Sequence, residues 1–284
     1  MNQPVDFCTQ GLSGRDFKRL AEFVQGYAGI KMPPAKKSML EGRLRRRVRS
    51  LGLASFDEYC RYLFDDGGWD KEATHLIDAV TTNKTDFFRE PEHFRFLSEV
   101  ALPEMAARGF GMQKPLVAWS AASSIGAEAY SLAMLLADFA ARQRGFRFSV
   151  LATDICTEVL ETAQEAVYPA EMIEPVPMDM RRRYLLRAKD PERHTVRIVP
   201  ELRRHVAFAR LNLIEGPYEI DLEAGLIFCR NILIYFEKSV QEAVLTHLCG
   251  HLLPGGYLFI GHSESLAGFD LPLRQVATTV FQRT

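Results

Sequence analysis

The chain has 284 residues, enough for one large domain or a small domain beside a medium one. Apolar residues make up 47% and charged residues 25%, which excludes disordered and collagen-like classes. Lys plus Arg number 35 against 36 Asp plus Glu, a formal net charge of -1, so the molecule as a whole is not a polyanion binder and any basic surface is local. No apolar run approaches the roughly 20 residues of a membrane span. The opening MNQPVDFCTQGLSGRDF lacks the charged start and apolar centre of a signal peptide. Five scattered cysteines (Cys8, Cys60, Cys156, Cys229 and Cys249) include no CxxC pair, the pattern of reduced thiols packed as small hydrophobes. The expectation is a cytoplasmic protein with no membrane insertion.

The first third reads as helices. Residues 15–27 place Phe17, Leu20, Ala21, Val24 and Tyr27 near helical spacing, with Ser13 available as N-cap. After Pro33 and Pro34, residues 35–51 carry Met39, Leu40, Leu44 and Val48 on one side and basic residues on most of the rest. Residues 56–64 and 72–80 predict two short helices, separated by the turn-forming Asp65-Asp66-Gly67-Gly68. Residues 81–94 mix polar and aromatic positions and contain Pro91, which predicts an irregular linker.

From residue 115 strands alternate with helices. Strands are expected at 115–121, 148–153, 206–211, 225–229 and 257–260, with helices at 127–139 and 239–253. The turn Pro254-Gly255-Gly256 leads into the fifth strand, and a hairpin of 273–277 with 280–283 closes the chain. This alternation predicts an α/β fold with a parallel sheet. Between Tyr168 and Arg204 the rhythm breaks at Pro169, Pro175, Pro177, Asp190 and Pro191, which reads as an inserted small antiparallel unit. The expected organisation is a helical domain over 1–80, a linker over 81–95 and an α/β domain over 96–284, with 168–205 as the insertion.

In an open parallel sheet, ligands bind outside the carboxyl ends of the strands. The first such loop, Trp119 to Tyr130, contains only Gly126, so the GxGxxG fingerprint is missing, as is the Walker A pattern. That counts against NAD, FAD and ATP and leaves an adenosine cofactor without phosphates. Asp154 follows the second strand, where a carboxylate either takes both ribose hydroxyls or caps the next helix. Glu128 either faces the cationic part of a cofactor or is a solvated first-turn residue. S-adenosylmethionine, with adenosine, a sulfonium and no phosphate, fits this combination.

The strings TTNKTDFFRE (81–90), WSAASSIGAEAYSLAM (119–134), ATDI (152–155), RLNL (210–213), FCRNILIYF (228–236) and LLPGGYLFIGHSESL (252–266) occur in one order across the chain. Together they resemble the chemotaxis receptor glutamate methyltransferases, the CheR family. The resemblance implies a small N-terminal all-helical domain, a Rossmann-like methyltransferase domain and an inserted small β-subdomain. It implies a cofactor site lined by Asn83, Thr85, Arg89, Glu128, Asp154, Asn212, Leu213, Asn231 and Ile232, with S-adenosylhomocysteine as product. It also implies Arg89 and Tyr235 near the transferred methyl, and chemoreceptor cytoplasmic helices as substrate. A receptor C-terminal peptide is a further partner known in the family. The family's Thr-Gly-Glu-Glu-Pro-Tyr is here Ile125-Gly126-Ala127-Glu128-Ala129-Tyr130, a departure at three positions.

Arg43, Arg46 and Arg47 lie three and four residues apart, and so share a helical face. Such a face is either merely solvated or a field that steers an acidic helical substrate, and we expect substrate binding there. His247 and His251 lack the Glu of HExxH, and Ser263 lacks the frame of GxSxG, so neither a metal nor a nucleophile elbow is expected there. Two other classes compete: a non-catalytic receptor-binding protein with a degenerate cofactor loop, and a nucleic-acid methyltransferase. The latter is disfavoured because the basic segment lacks interleaved aromatic residues.

Overall fold

A computed structural model describes residues 11–190 and 192–284. Cys8, Pro191 and most of the N-terminal string examined for a signal peptide lie outside the described residues. The chain divides into two compact units, one of residues up to Thr82 with Tyr235–Glu237, the other of Asn83–Ile234 with Lys238–Thr284.

The first unit contains α1 (Gly14–Ala28), α2 (Lys37–Ser50), α3 (Phe56–Phe64) and α4 (Trp69–Val80). Ser13 caps α1 as its spacing predicts, its hydroxyl accepting from Asp16 N at 3.0 Å. Leu20 and Val24 of α1, Leu40, Leu44 and Val48 of α2, and Leu63, Leu76 and Ile77 are fully buried, which is the amphipathic pattern expected from the sequence. Helix α4 starts at Trp69, ahead of the expected residue 72. The indole packs edge-on against Phe23 with ring centroids 3.9 Å apart, and this contact draws the glycine turn straight into the helix.

Two arginines of the basic face of α2 have partners within their own unit. Arg43 donates to the carbonyls of Val80 and Thr81 at 2.5 and 2.8 Å, closing the C-terminal end of α4. Arg47 makes a bidentate pair with Glu72, at 2.8 and 2.7 Å, and the Glu72 side chain is 1% exposed. Both guanidiniums therefore hold helices of their own unit together. Arg46 is exposed.

The second unit opens with α5 (Pro91–Phe96), a π-helical turn (Leu97–Ala101) and α6 (Leu102–Ala107), where an irregular linker is expected as far as residue 94. Pro91 starts the helix instead of preventing it, because a first-turn residue has no intrahelical N–H bond to lose. Then follow β1 (Leu116–Ala121), α7 (Ala127–Arg142), β2 (Phe148–Asp154), α8 (Thr157–Glu165), β3 (Val167–Pro169), α9 (Met178–Tyr184), β4 (Leu185–Arg187) and β5 (Thr195–Ile198). The remainder is α10 (Pro200–Arg203), β6 (Val206–Arg210), β7 (Ala224–Cys229), α11 (Lys238–His251), β8 (Leu252–Ile260), β9 (Leu273–Ala277) and β10 (Val280–Arg283).

The main sheet has seven strands in the order β6-β2-β1-β7-β8-β10-β9, and β3-β5-β4 form a separate antiparallel sheet. Strands β6, β2, β1, β7 and β8 are mutually parallel, with β10 antiparallel to β8 and β9. The order reverses between β1 and β7, the switch point at which such sheets bind ligands. All six residues of β7 are buried, which explains its continuous apolar run. The helix expected over 239–253 ends at His251, and the Pro254-Gly255-Gly256 turn lies inside β8. A register shift opposite Ala224 to Leu226 absorbs it, Gly255 having φ 78°.

The α2–α4 pair gives a stability test. Replacing Arg47 by Ala leaves the buried Glu72 carboxylate without its cation, so unfolding free energy should fall by about 3 kcal/mol. Arg46→Ala, at an exposed position, should change it by less than about 0.5 kcal/mol. Urea unfolding of the two variants checks this, and equal losses would contradict the assignment.

Candidate functional site

Strand register brings the carboxyl ends of the parallel strands to one edge. Ala121 of β1 pairs with Thr153 of β2 and Cys229 of β7, Asp154 pairs with Arg210, and Cys229 pairs with Ile260. The segments that follow, residues 122–126, 155–156, 211–213, 230–234 and 261–264, therefore gather at that edge.

The first loop is fixed by unusual backbone. Ala122, Ser124 and Gly126 have positive φ, at 64°, 51° and 83°. A Cβ on Gly126 would stand 2.9 Å from Ala163 Cβ, so both conformation and space demand glycine there. Asp154, 7% exposed, joins two loops: Oδ2 accepts from Ser124 N at 2.8 Å and Oδ1 from Cys156 N at 3.0 Å. The Ser124 hydroxyl donates to the Asn83 carbonyl at 2.8 Å, and the Asn83 amide reaches Cys156 Sγ at 3.6 Å. The departures at 125, 127 and 129 do not leave the loop unsupported. Tyr168 donates its hydroxyl to the Ile125 carbonyl at 2.7 Å, and Ala127 and Ala129 are fully buried.

The centre of the edge is an arginine that the sequence reading did not select. Arg230 follows β7, and its side chain is 2% exposed. Its guanidinium lies 3.0 Å from Glu90 Oε2 and 3.0 Å from Glu128 Oε2, and also donates to the Arg89 carbonyl. Glu128 is thus neither solvated nor open toward a ligand alone. It is held by Arg230 and by the Ser120 hydroxyl at 2.7 Å. Burial pushes its carboxyl above the usual range, while Arg230 and Ser120 oppose the shift. Burial also disfavours the Glu90 carboxylate, but Arg230, the Asn231 amide and the His262 N–H bring it below the ordinary value. Burial and the nearby Arg230 charge lower the His93 imidazole to about 4, leaving it neutral at neutral pH.

A second missed acid shapes the loop after β7. Glu264 is 8% exposed and accepts backbone N–H bonds from Gly261 at 2.6 Å, Leu233 at 2.7 Å, Asn231 at 3.0 Å and Ile234 at 3.4 Å. Burial raises its carboxyl and these donors oppose the rise. This cluster of donors holds Asn231 at φ 58°, a left-handed conformation that Asn tolerates. Glu264 sits in the GHSES string, where the sequence reading considered only Ser263.

Of the residues implied by resemblance, Asn83, Thr85, Arg89, Glu128, Asp154, Asn212, Leu213, Asn231 and Ile232 all belong to this α/β unit. Asn212 and Leu213 follow β6, where Asn212 donates to Glu215 Oε1 at 2.8 Å and the Leu213 carbonyl accepts from the Tyr218 hydroxyl at 2.7 Å. Arg89 donates to the Lys84 carbonyl at 3.1 Å. Tyr235 belongs with the helical unit, as do Arg43, Arg46 and Arg47; its carbonyl accepts from Lys31 N at 3.0 Å, and Lys36 Nζ lies 5.5 Å from its ring. Cys229 is fully buried and its thiol is pushed well up by burial, which leaves it inert. His251 stacks on Tyr218 and its Nδ1 lies 3.1 Å from the Leu222 carbonyl, a packing role.

The donor set at the edge is acidic and amidic, with Glu90 and Glu128 set against one guanidinium, and Asp154, Asn83, Asn212 and Asn231 around them. It has no glycine-rich phosphate cradle, since Gly126 is the one glycine of the first loop, and this suits a cationic nucleoside better than a pyrophosphate. The sheet topology and this edge define an α/β protein of the methyltransferase class. Residues 83–282 match the CheR methyltransferase SAM binding domain, and residues 15–81 the CheR methyltransferase all-alpha domain. Chemotaxis protein methyltransferase 2 of Pseudomonas aeruginosa is 38% identical over 94% of this chain and 92% of its own. The chemotaxis protein methyltransferase of Escherichia coli is 37% identical over 95% of this chain and 91% of its own, and that of Salmonella typhimurium 39% over 90% and 85%. The chain belongs to the CheR methyltransferase family. It is an S-adenosylmethionine-dependent protein-glutamate O-methyltransferase. Among the described residues, no helix is long and apolar enough to cross a membrane.

Glu264 supplies a test of how this edge is built. In Glu264→Gln, an NH₂ group replaces one accepting oxygen, so at least one backbone N–H loses its partner at a cost of about 1–3 kcal/mol. Affinity for S-adenosylhomocysteine should fall about ten-fold in calorimetry, with the far-UV circular dichroism unchanged. Parental affinity would show that the loop after β7 does not depend on this carboxylate.

Proposed function

We propose that the enzyme methylates glutamate side chains on the cytoplasmic helices of chemoreceptors, forming methyl esters in chemotaxis adaptation, and that it works in the cytoplasm. The observation that carries the reading is the acidic edge organised by Asp154 and Arg230 at the switch point of the sheet. Asp154 binds the cofactor's ribose in this reading. Its two oxygens accept the backbone N–H groups of Ser124 and Cys156, which fixes the carboxylate at the ends of β1 and β2. Asn83, Thr85, Asn212, Leu213, Asn231 and Ile232 complete the nucleoside pocket, and Glu128 and Glu90 provide negative potential for a sulfonium.

Bound S-adenosylmethionine supplies an electrophilic methyl group. A substrate glutamate, with a reference pKa of about 4.3, is already ionised at neutral pH, so the protein needs no general base. The remaining work is orientation and exclusion of water, which strengthens charge interactions as opposite charges approach. Arg89 and Tyr235 act on the incoming carboxylate in this reading, supported by their place in strings that resemble the family's active site. Arg46 is the exposed member of the proposed substrate-binding set, whereas Arg43 and Arg47 support it by holding α2. The small β3-β5-β4 sheet is the element proposed to take a receptor C-terminal peptide.

The direct experiment follows labelled methyl groups from cofactor into receptor fragments as base-labile esters. Asp154→Ala should weaken cofactor binding about ten-fold or more, by loss of a charge-assisted hydrogen bond worth roughly 1.5–3 kcal/mol. Arg89→Ala should depress kcat strongly, and Tyr235→Phe should lower kcat more than it raises KM. Label appearing on nucleic acid instead of receptor, or unchanged kinetics in all three variants, would overturn these assignments.

A further inference from the structure

At the rim of the cofactor edge, and sharing only Glu90 with it, Glu90, His93 and His262 each offer one ligand atom, and these atoms lie within 4.8 Å of one another. His93 Nδ1 is 3.5 Å from Glu90 Oε2, and His262 Nε2 is 3.9 Å from the same oxygen. A tetrahedral zinc with ligands at about 2.0–2.1 Å separates them by roughly 3.3 Å, so an inward shift of His262 closes the set. His262 has its side chain 45% exposed and can make it.

The Thr279 hydroxyl lies 2.7 Å from His93 Nε2 and 2.8 Å from the Thr278 carbonyl. In the neutral tautomer protonated at Nε2, the ring donates to that hydroxyl, and Nδ1 turns its lone pair toward the Glu90 carboxylate. Nδ1 is a buried atom without a hydrogen-bond partner, on a side chain 1% exposed. In that tautomer only a cation bridges Nδ1 to Glu90 Oε2, which Arg230 engages as well. A histidine whose second nitrogen is fixed by a hydrogen bond is the arrangement that orients a metal ligand. Thr279 holds φ 54°, rare for a β-branched residue, and this backbone aims its hydroxyl at the ring. An open cavity of about 390 Å³, lined by His93, Glu92, Phe96, His262 and Thr278, gives an entry path and room for a water ligand.

We propose that Glu90, His93 and His262 form a binding site for a borderline divalent metal ion such as Zn²⁺, with Thr279 orienting His93 and a fourth position open to water. Arg230, 3.0 Å from Glu90 Oε2, shares that carboxylate, so the ion binds with moderate affinity and at the cost of part of the Arg230 pair.

The test uses the full chain without an affinity tag, stripped by chelator and titrated with Zn²⁺ in a calorimeter. One ion per chain is expected. His262→Ala, at a partly exposed position, should weaken binding by at least about ten-fold, and Thr279→Val, which removes the hydrogen bond to His93, also by about ten-fold. His194→Ala, at an exposed position outside the cluster, should leave it unchanged. No stoichiometric binding, or equal affinity in parent, His262→Ala and Thr279→Val, would overturn the proposal.

Discussion

The buried guanidinium of Arg230 is the constraint on which the α/β unit's functional edge depends. Its side chain is 2% exposed and touches Glu90 in the segment before α5, Glu128 in the first turn of α7, and the backbone at Arg89. Arg89 lies 141 and Glu128 102 residues away in sequence, so one cation ties two separate stretches to the end of β7. Removing one partner of a buried ion pair costs about 3–5 kcal/mol, because the charge left behind is desolvated and unpaired. The geometry here leaves no substitute cation among these contacts. Phe94 and Phe228 lie 5.7 and 5.9 Å from the guanidinium carbon and hold it in an aromatic setting where charge interactions are screened little.

Glu264 acts on the same loop from the opposite side. Arg230 fixes the loop's side chain end by charge, whereas Glu264 fixes its backbone by collecting N–H groups that would otherwise point at nothing. Asp154 does the equivalent for the two loops after β1 and β2. Two buried carboxylates, Glu264 and Asp154, thus stand where dinucleotide-binding sheets use a glycine-rich turn. The backbone donors a phosphate would engage are already occupied by the protein's own acids. This explains why a chain with a single glycine in its first loop retains an ordered edge.

Much of the fold was legible from periodicity. Helix α3 and the closing hairpin fall on their expected bounds, and the parallel strands announce themselves as apolar runs because both their faces are buried. The helix through α5 and α6 was missed although Phe94, Leu97, Ala101, Leu102 and Met105 are buried at helical spacing. Pro91 and Pro103 hid it, since a proline in a first helical turn reads locally like one that breaks a helix. The site was less legible. Asp154 and Glu128 follow from their place after a strand or loop, but Arg230 and Glu264 look like surface residues in sequence. Their burial depends on partners up to 141 residues away, which spacing does not reveal. The structural duty of the basic face of α2 was hidden for the related reason that Glu72 and the end of α4, distant in sequence, engage Arg47 and Arg43.

Arg230→Lys tests the account most directly, because it keeps the charge and removes the fork that spans two carboxylates. Calorimetry with S-adenosylhomocysteine on this variant should show affinity reduced at least about ten-fold, while circular dichroism shows the helix content of the parent. Parental affinity in Arg230→Lys would mean that a point charge suffices, and that the bridging geometry around Arg230 does not organise the cofactor edge.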